Sequence, residues 1–192
     1  MAAAESFTPE LRICSCSGSE ISKTNLDTAP PAAGTPQHRA RLVTMGWTNG
    51  EMLVIVRERG GVEVFDIMGA LSKTLELVDE KSRQSNNPDH VMTCEVWGDG
   101  VVALLSSGHI RAISGIHAAE PRQGKAKQNK TTPLTPSCRQ FEMAAGLGGT
   151  NGPLTAMAVL EPLFTASEML EVILATEDGN VVGKGCCNIG TD

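Results

Sequence analysis

Between residues 42 and 116 apolar and polar positions alternate in short bursts, and two of the bursts are apolar throughout. In LVTMGW (42–47), Val43, Met45 and Trp47 fall on one face and Leu42 and Thr44 on the other, the period of a strand. MLVIV (52–56) has no polar face. It is too short for a stable helix and rich in β-branched residues, which predicts a strand covered on both sides. Arg57-Glu58-Arg59-Gly60-Gly61 turns the chain, VEVFDI (62–67) returns, Met68-Gly69 turns it again, and SKTLELV (72–78) supplies a fourth strand. Together these segments predict an up-and-down meander.

The pattern recurs. HVMTCEVW (90–97) repeats the first strand, GDG the turn, VVALL (101–105) the doubly apolar run and HIRAISGI (109–116) the return. Trp47 and Trp97 lie 50 residues apart, Gly60 and Gly108 48 apart. A looser copy follows: LTAMAVLEPLF (154–164), MLEVILAT (169–176), a turn at Glu177-Asp178-Gly179, and NVV (180–182) opening the return. Units of about 50 residues with three or four antiparallel strands are the signature of β-propeller blades. A blade buries its faces only against neighbouring blades, which accounts for the runs without a polar side. The expected fold is all-β, a partial β-propeller of short antiparallel meander blades, about two to three of them within residues 10–185, preceded by a lone strand in ELRICSC (10–16). The count falls short of a closed ring, so a fragment or a shortened chain is expected. Residues 1–9 and 186–192 are expected as disordered ends. The polar, Pro-rich 17–41, the basic 118–138 and the glycine-rich 144–153 are expected as flexible inserts.

Composition narrows the partners. A net charge of -6 with no basic face disfavours nucleic acid, whose affinity comes from phosphate neutralisation. MAAAESFTPE lacks the basic and apolar regions of a secretory signal, and no apolar run approaches the roughly 20 residues of a membrane span. A cytosolic protein is expected, brought to a membrane by something else. The six cysteines, at 14, 16, 94, 138, 186 and 187, include no Cys-x-x-Cys pair. They are read as free thiols with packing roles, Cys14 and Cys16 sharing a strand face.

The segment MGWTNGEMLVIVRERGGVEVFDIMGALSKTLEL resembles the N-terminal propeller of the family of vacuolar protein sorting-associated protein 16. LRICSCSGSEI (11–21) and GDGVVALLSSGHIRAISGI (98–116) extend the likeness, and LEVILATEDGNVV fits it less distinctively. The resemblance implies a non-enzymatic subunit of the class C core of the HOPS and CORVET tethering complexes. Such a subunit works in vesicle-mediated protein transport, peripheral on late endosome and vacuole (lysosome) membranes. It also implies that the α-solenoid holding the SM-type SNARE-binding partner lies outside these 192 residues. The alternative is a propeller-type interaction module of an unrelated cytosolic scaffold.

Candidate chemistry reads blandly beside this. AGLGGTNG has no following Lys-Ser/Thr, so it is a loop rather than a phosphate cradle. Arg122, Lys125, Lys127, Lys130 and Arg139 form a basic stretch that suits a solvated loop better than a lipid contact. His38, His90, His109 and His117 have no carboxylate or cysteine at useful spacing, and no Gly-x-Ser-x-Gly exists. Cys186-Cys187, in the expected disordered end, is not read as a reactive pair, the Asn129-Lys130-Thr131 sequon is read as unused, Glu177-Asp178 as a turn, and Trp47 and Trp97 as matching core positions. No catalytic, cofactor-binding or metal-ligating residue is assigned.

Overall fold

The computed structural model describes residues 9–26, 41–117, 137–141, 154–160 and 169–188. These form four antiparallel sheets, each a meander of sequential strands. The first pairs β1 (Glu10–Cys14) with β2 (Glu20–Asn25). The second runs β3 (Leu42–Trp47), β4 (Leu53–Arg57), β5 (Gly61–Phe65) and β6 (Leu71–Glu76). A single helical turn, α1 (Glu80–Arg83), leads to the third: β7 (Val91–Trp97), β8 (Gly100–Leu105), β9 (Ile110–Ser114) and β10 (Ser137–Phe141). The fourth holds β11 (Leu154–Leu160), β12 (Met169–Thr176) and β13 (Val181–Asn188).

The sheets stack face to face, and the doubly apolar runs are the reason they can. Leu53 and Ile55 of β4 point to the first sheet, where they meet Leu11 and Ile13. Val54 and Val56 point the other way, against Val101, Ala103 and Leu105 of β8. Val102 and Leu104 then face Val172 and Leu174 of β12. Each such side chain is nearly or fully shielded, and full burial of one valine or leucine contributes about 1.5–3 kcal/mol. A one-residue slip of β4 or β8 exchanges its two faces but keeps both apolar, so register must come from the turns. Three equivalent turns supply it through glycines in the left-handed region, Gly60 (φ 86°), Gly108 (82°) and Gly179 (84°). Each donates its N–H to the carbonyl three residues back, and L side chains are strained there.

The first strands of the last three sheets lie beside one another, β3 against β7 and β7 against β11. Gly46 permits the first approach: a Cβ there would sit 3.0 Å from Val96 Cβ. Sheets stacked by their faces, with their first strands side by side, form part of a β-propeller.

Three expectations need correction. Residues 20–25, inside the expected loop 17–41, are a strand. Its inward residues are Ser22 and Thr24, which lie against Gly69, so no apolar alternation marks it. Ser137–Phe141 closes the third sheet as an outer strand although the sequence suggested a loop to 138. And β13 runs to Asn188, pairing it with Met169, where a tail from 186 was expected. Residues 1–8, 144–153, 189–192 and all of 118–136 lie outside the described residues.

Candidate functional site

Two guanidinium groups occupy the joints between sheets. Leu26 and Leu77 each follow the outermost strand of a sheet, and each donates its N–H across to the residue before the neighbouring strand, Pro9 and Gly60 respectively. Their carbonyls point to the next sheet, and in both cases an arginine takes them. Arg57 Nη2 donates to the Leu26 carbonyl at 3.3 Å, and Arg57 also holds Glu63 at 3.1 Å. Arg111 Nη1 donates to the Leu77 carbonyl at 2.9 Å, while its two terminal nitrogens grip both oxygens of Asp79 at 2.8 and 2.5 Å. The hydrogen bond from Arg111 leads in holding the Asp79 carboxyl below its usual range. The arginines come from different places, the end of β4 and the middle of β9, yet serve equivalent carbonyls. The sequence did carry a signal: Arg111 interrupts the apolar run of Ile110, Ala112 and Ile113 in β9.

A carboxylate links the third and fourth sheets: Glu95 Oε2 accepts the Val159 N–H at 2.8 Å. At the opposite end of the third sheet, Asp89 gathers the turn before β9. It accepts from Ser106 Oγ at 3.0 Å, Ser107 N at 3.0 Å, Ser107 Oγ at 2.9 Å and Ser82 Oγ at 3.4 Å. Desolvation pushes its carboxyl up, but the hydrogen bonds led by Ser107 outweigh it and hold the group below its usual range. His109 Nδ1 lies 2.9 Å from Ser107 Oγ, so Asp, Ser and His do meet. The order is wrong for a nucleophile. Ser107 gives its proton to Asp89, which leaves His109 as donor to the hydroxyl, so the imidazole cannot withdraw the serine proton. The cluster builds a turn.

The other residues singled out in the sequence are scattered. His117 packs over Gly50, where a Cβ would clash with its ring, and His90 immediately precedes β7. Glu177-Asp178 is a turn: Asp178 accepts from Thr176 Oγ1 and from Asn180 Nδ2. Among the described residues no group of His, Cys, Asp or Glu has the spacing to hold a metal ion, and no helix is long and apolar enough to cross a membrane. Cys14 and Cys16 are exposed free thiols rather than packed ones. A shift of register between Ile13 and Cys14 ends the strand before they can share a buried face. Cys94 is buried, and desolvation pushes its thiol well above the usual range. His38, the glycine-rich loop, Arg122, Lys125, Lys127, Lys130, Asn129 and the sequon lie outside the described residues. Arg139, Cys138, Cys186 and Cys187 lie on strands whose side chains there are also outside them.

The tryptophans are not equivalent. Trp47 pairs with Leu53, on the side of its sheet that faces β1, and is 49% exposed. Trp97 pairs with Gly100 and packs toward the fourth sheet, its ring lying against Gly100, where a Cβ would meet it at 2.9 Å. Matched by their pairing partners, Trp47 corresponds to Val96 rather than to Trp97. Beside Trp47 on the same face, Met45 is 57% exposed.

A surface of strand edges and exposed apolar side chains, without an assembled reactive group among the described residues, suits protein contact. A family model described as "Vps16, N-terminal region" matches residues 2–150. The vacuolar protein sorting-associated protein 16 homolog of Dictyostelium discoideum is 23% identical over 171 residues, 89% of this chain and 17% of that protein. Protein VACUOLELESS1 of Arabidopsis thaliana is 23% identical over 138 residues, 72% of this chain and 14% of that protein. The chain thus spans less than a fifth of the curated relatives it matches. Among solved structures, the computationally designed Ika4 protein covers 79% of this chain and 95% of its own at 14% identity and a TM-score of 0.40. The fold assignment rests on the sheet order and not on that likeness.

Proposed function

The chain belongs to the Vps16 N-terminal region family, and on that premise we propose that it is a non-enzymatic scaffold in vacuolar protein sorting. In the finer reading it is part of a subunit of an endosome and vacuole (lysosome) tethering complex of the HOPS and CORVET type. It meets the other subunits of the class C core and reaches late endosome and vacuole membranes only through them. The observation that carries this reading is the family match over residues 2–150, which spans the first two sheets and the described strands of the third. Support comes also from the two named relatives, one a vacuolar protein sorting-associated protein 16 homolog. The surface is of the kind a scaffold uses: among the described residues β2 and β6 are outer strands of their sheets, and a sheet edge can take a strand from another chain.

Co-purification tests it. The tagged 192-residue chain is mixed with separately purified core subunits of such a complex, and in a second arm with liposomes containing anionic lipid. The expected result is retention of at least one subunit, and sedimentation with liposomes only when that subunit is present. Failure to retain any subunit, or direct binding to bare liposomes, overturns the reading.

A further inference from the structure

Six hairpin turns among the described residues close in the same way. The last residue of each lies in the left-handed region and donates its N–H to the carbonyl three residues back. In five of them that residue is a glycine: Gly18, Gly60, Gly69, Gly108 or Gly179. In the turn between β3 and β4 it is Glu51, at φ 59°. A side chain is strained in that conformation, so this turn opens at lower cost than the other five, and local opening is what exposes main-chain groups to reagents.

The strained turn also carries Asn49-Gly50. In such a pair no side chain shields the glycine nitrogen, which can reach the side-chain carbon of the residue before it. Three pairs of this kind, Asn or Asp followed by Gly, lie among the described residues, and the structure separates them. Asp99 is tied down by the Gly115 N–H at 3.2 Å, and Gly100 is buried, with a Cβ there falling 2.3 Å from the Ile113 carbonyl. Asp178 is held by Thr176 Oγ1 and Asn180 Nδ2, and the Gly179 N–H is committed to the Thr176 carbonyl at 3.0 Å. Asn49 and Gly50 are both exposed, and neither the Asn49 side-chain amide nor the Gly50 N–H is engaged among the described residues. The His117 ring occupies the place of a side chain at residue 50, with Nδ1 2.4 Å from where a Cβ would stand. Packing therefore keeps the glycine that makes the pair reactive.

We propose that Asn49 is a site of spontaneous covalent modification by water, which loosens the joint between the second and third sheets. The Gly50 nitrogen, giving its proton to hydroxide, bonds to Cγ of Asn49. The Cγ–Nδ2 bond breaks and ammonia leaves, so a five-membered imide closes. Water then adds to one of the two imide carbonyls and the ring opens, leaving aspartate or, by the other carbonyl, isoaspartate. The net change is one water taken up and one ammonia released, with no oxidant or reductant. The Asn49 N–H donates to the Gly98 carbonyl at 2.7 Å, which ties the β3–β4 turn to the β7–β8 turn. Isoaspartate inserts a methylene into the main chain between that N–H and the Gly50 nitrogen. The bond to Gly98 and the 3.1 Å bond from Glu51 to Thr48 can then no longer both be kept unless one turn moves against the other.

The test ages the purified 192-residue chain in mildly alkaline buffer, folded and in urea, and follows it by peptide mass mapping. The expected result in the folded chain is loss of ammonia at Asn49 ahead of Asn25, Asn86, Asn87 and Asn180, each followed by a bulkier residue. No isoaspartate should form at residues 99 and 178. Glu51→Gly should slow the folded reaction roughly fivefold by relieving the left-handed strain, and leave the rate in urea unchanged. Hydrogen exchange on the aged sample, read separately for each form by mass spectrometry, should find the amide of residue 49 protected in the asparagine and aspartate forms and unprotected in the isoaspartate form. The proposal is overturned if any of those other asparagines reacts first in the folded chain, or if folded Glu51→Gly reacts as fast as the unaltered chain. It is also overturned if the isoaspartate form keeps that amide protected.

Discussion

Replacing Arg111 with methionine keeps most of the volume of the side-chain stem but removes the guanidinium from the joint between the second and third sheets. Two groups lose it. The Leu77 carbonyl, on a residue with no exposed surface, is left without its strongest donor, which costs about 1–3 kcal/mol. The Asp79 carboxylate, 65% exposed, regains water, so its share is no more than about 1 kcal/mol. The expected loss is about 2–3 kcal/mol, or roughly 5–10 °C in Tm for a chain of this size. Asp79→Asn keeps an acceptor for the guanidinium and should cost about 0.5–1 kcal/mol. Urea denaturation followed by far-UV circular dichroism separates the two. The sign with pH also follows. The folded Asp79 carboxyl is held below its ordinary value of 3.8 by Arg111, so its contribution is present above that value and disappears as pH falls through the depressed one. The gap between wild type and Asp79→Asn should therefore close on acidification. Equal losses for Arg111→Met and Asp79→Asn, or a loss below about 0.5 kcal/mol for Arg111→Met, would refute the clamp as a structural joint.

Two further outcomes follow. Gly60→Ala and Gly179→Ala impose the same left-handed backbone cost of about 1–2 kcal/mol, but only at Gly60 does the new Cβ meet Val78, at 2.5 Å, while at Gly179 it meets open space. Gly60→Ala should melt measurably lower in a matched thermal scan, and equal melts would show that Val78 does not press on this turn. Iodoacetamide on the native chain should label Cys14 and Cys16 and spare Cys94 until denaturant is added, read by peptide mass mapping; early labelling of Cys94 would contradict its burial and raised thiol pKa.

The inner half of each sheet was legible because its physics is one-dimensional. Val54, Ile55, Val101 and Val102 make runs that are apolar on both faces since the second and third sheets are each covered twice, and that shows in sequence without knowing what covers it. The outer strands β2 and β10 hid because their backbone pairing needs no apolar side chain. Ser22 and Thr24 serve as well as valines where the neighbour is Gly69. Matching Trp47 to Trp97 failed by one residue, because β7 carries one residue more than β3 between its register shift and its end. The clamps were illegible as a motif, since Arg57 and Arg111 reach equivalent carbonyls from strands at different positions.

The central claim is that the sheets stack with their first strands side by side, and Gly46 and Val96 mark the closest point of that arrangement. The double variant Gly46→Cys with Val96→Cys, in a background lacking the native cysteines, measures it directly. A Cβ at residue 46 would lie 3.0 Å from that of Val96, within a small adjustment of the roughly 3.5–4.5 Å a disulfide needs. The account predicts a 46–96 disulfide on mild oxidation of the folded monomer, seen as a linked peptide by mass spectrometry and absent in urea. Free thiols at both positions in the folded, oxidised chain would contradict it.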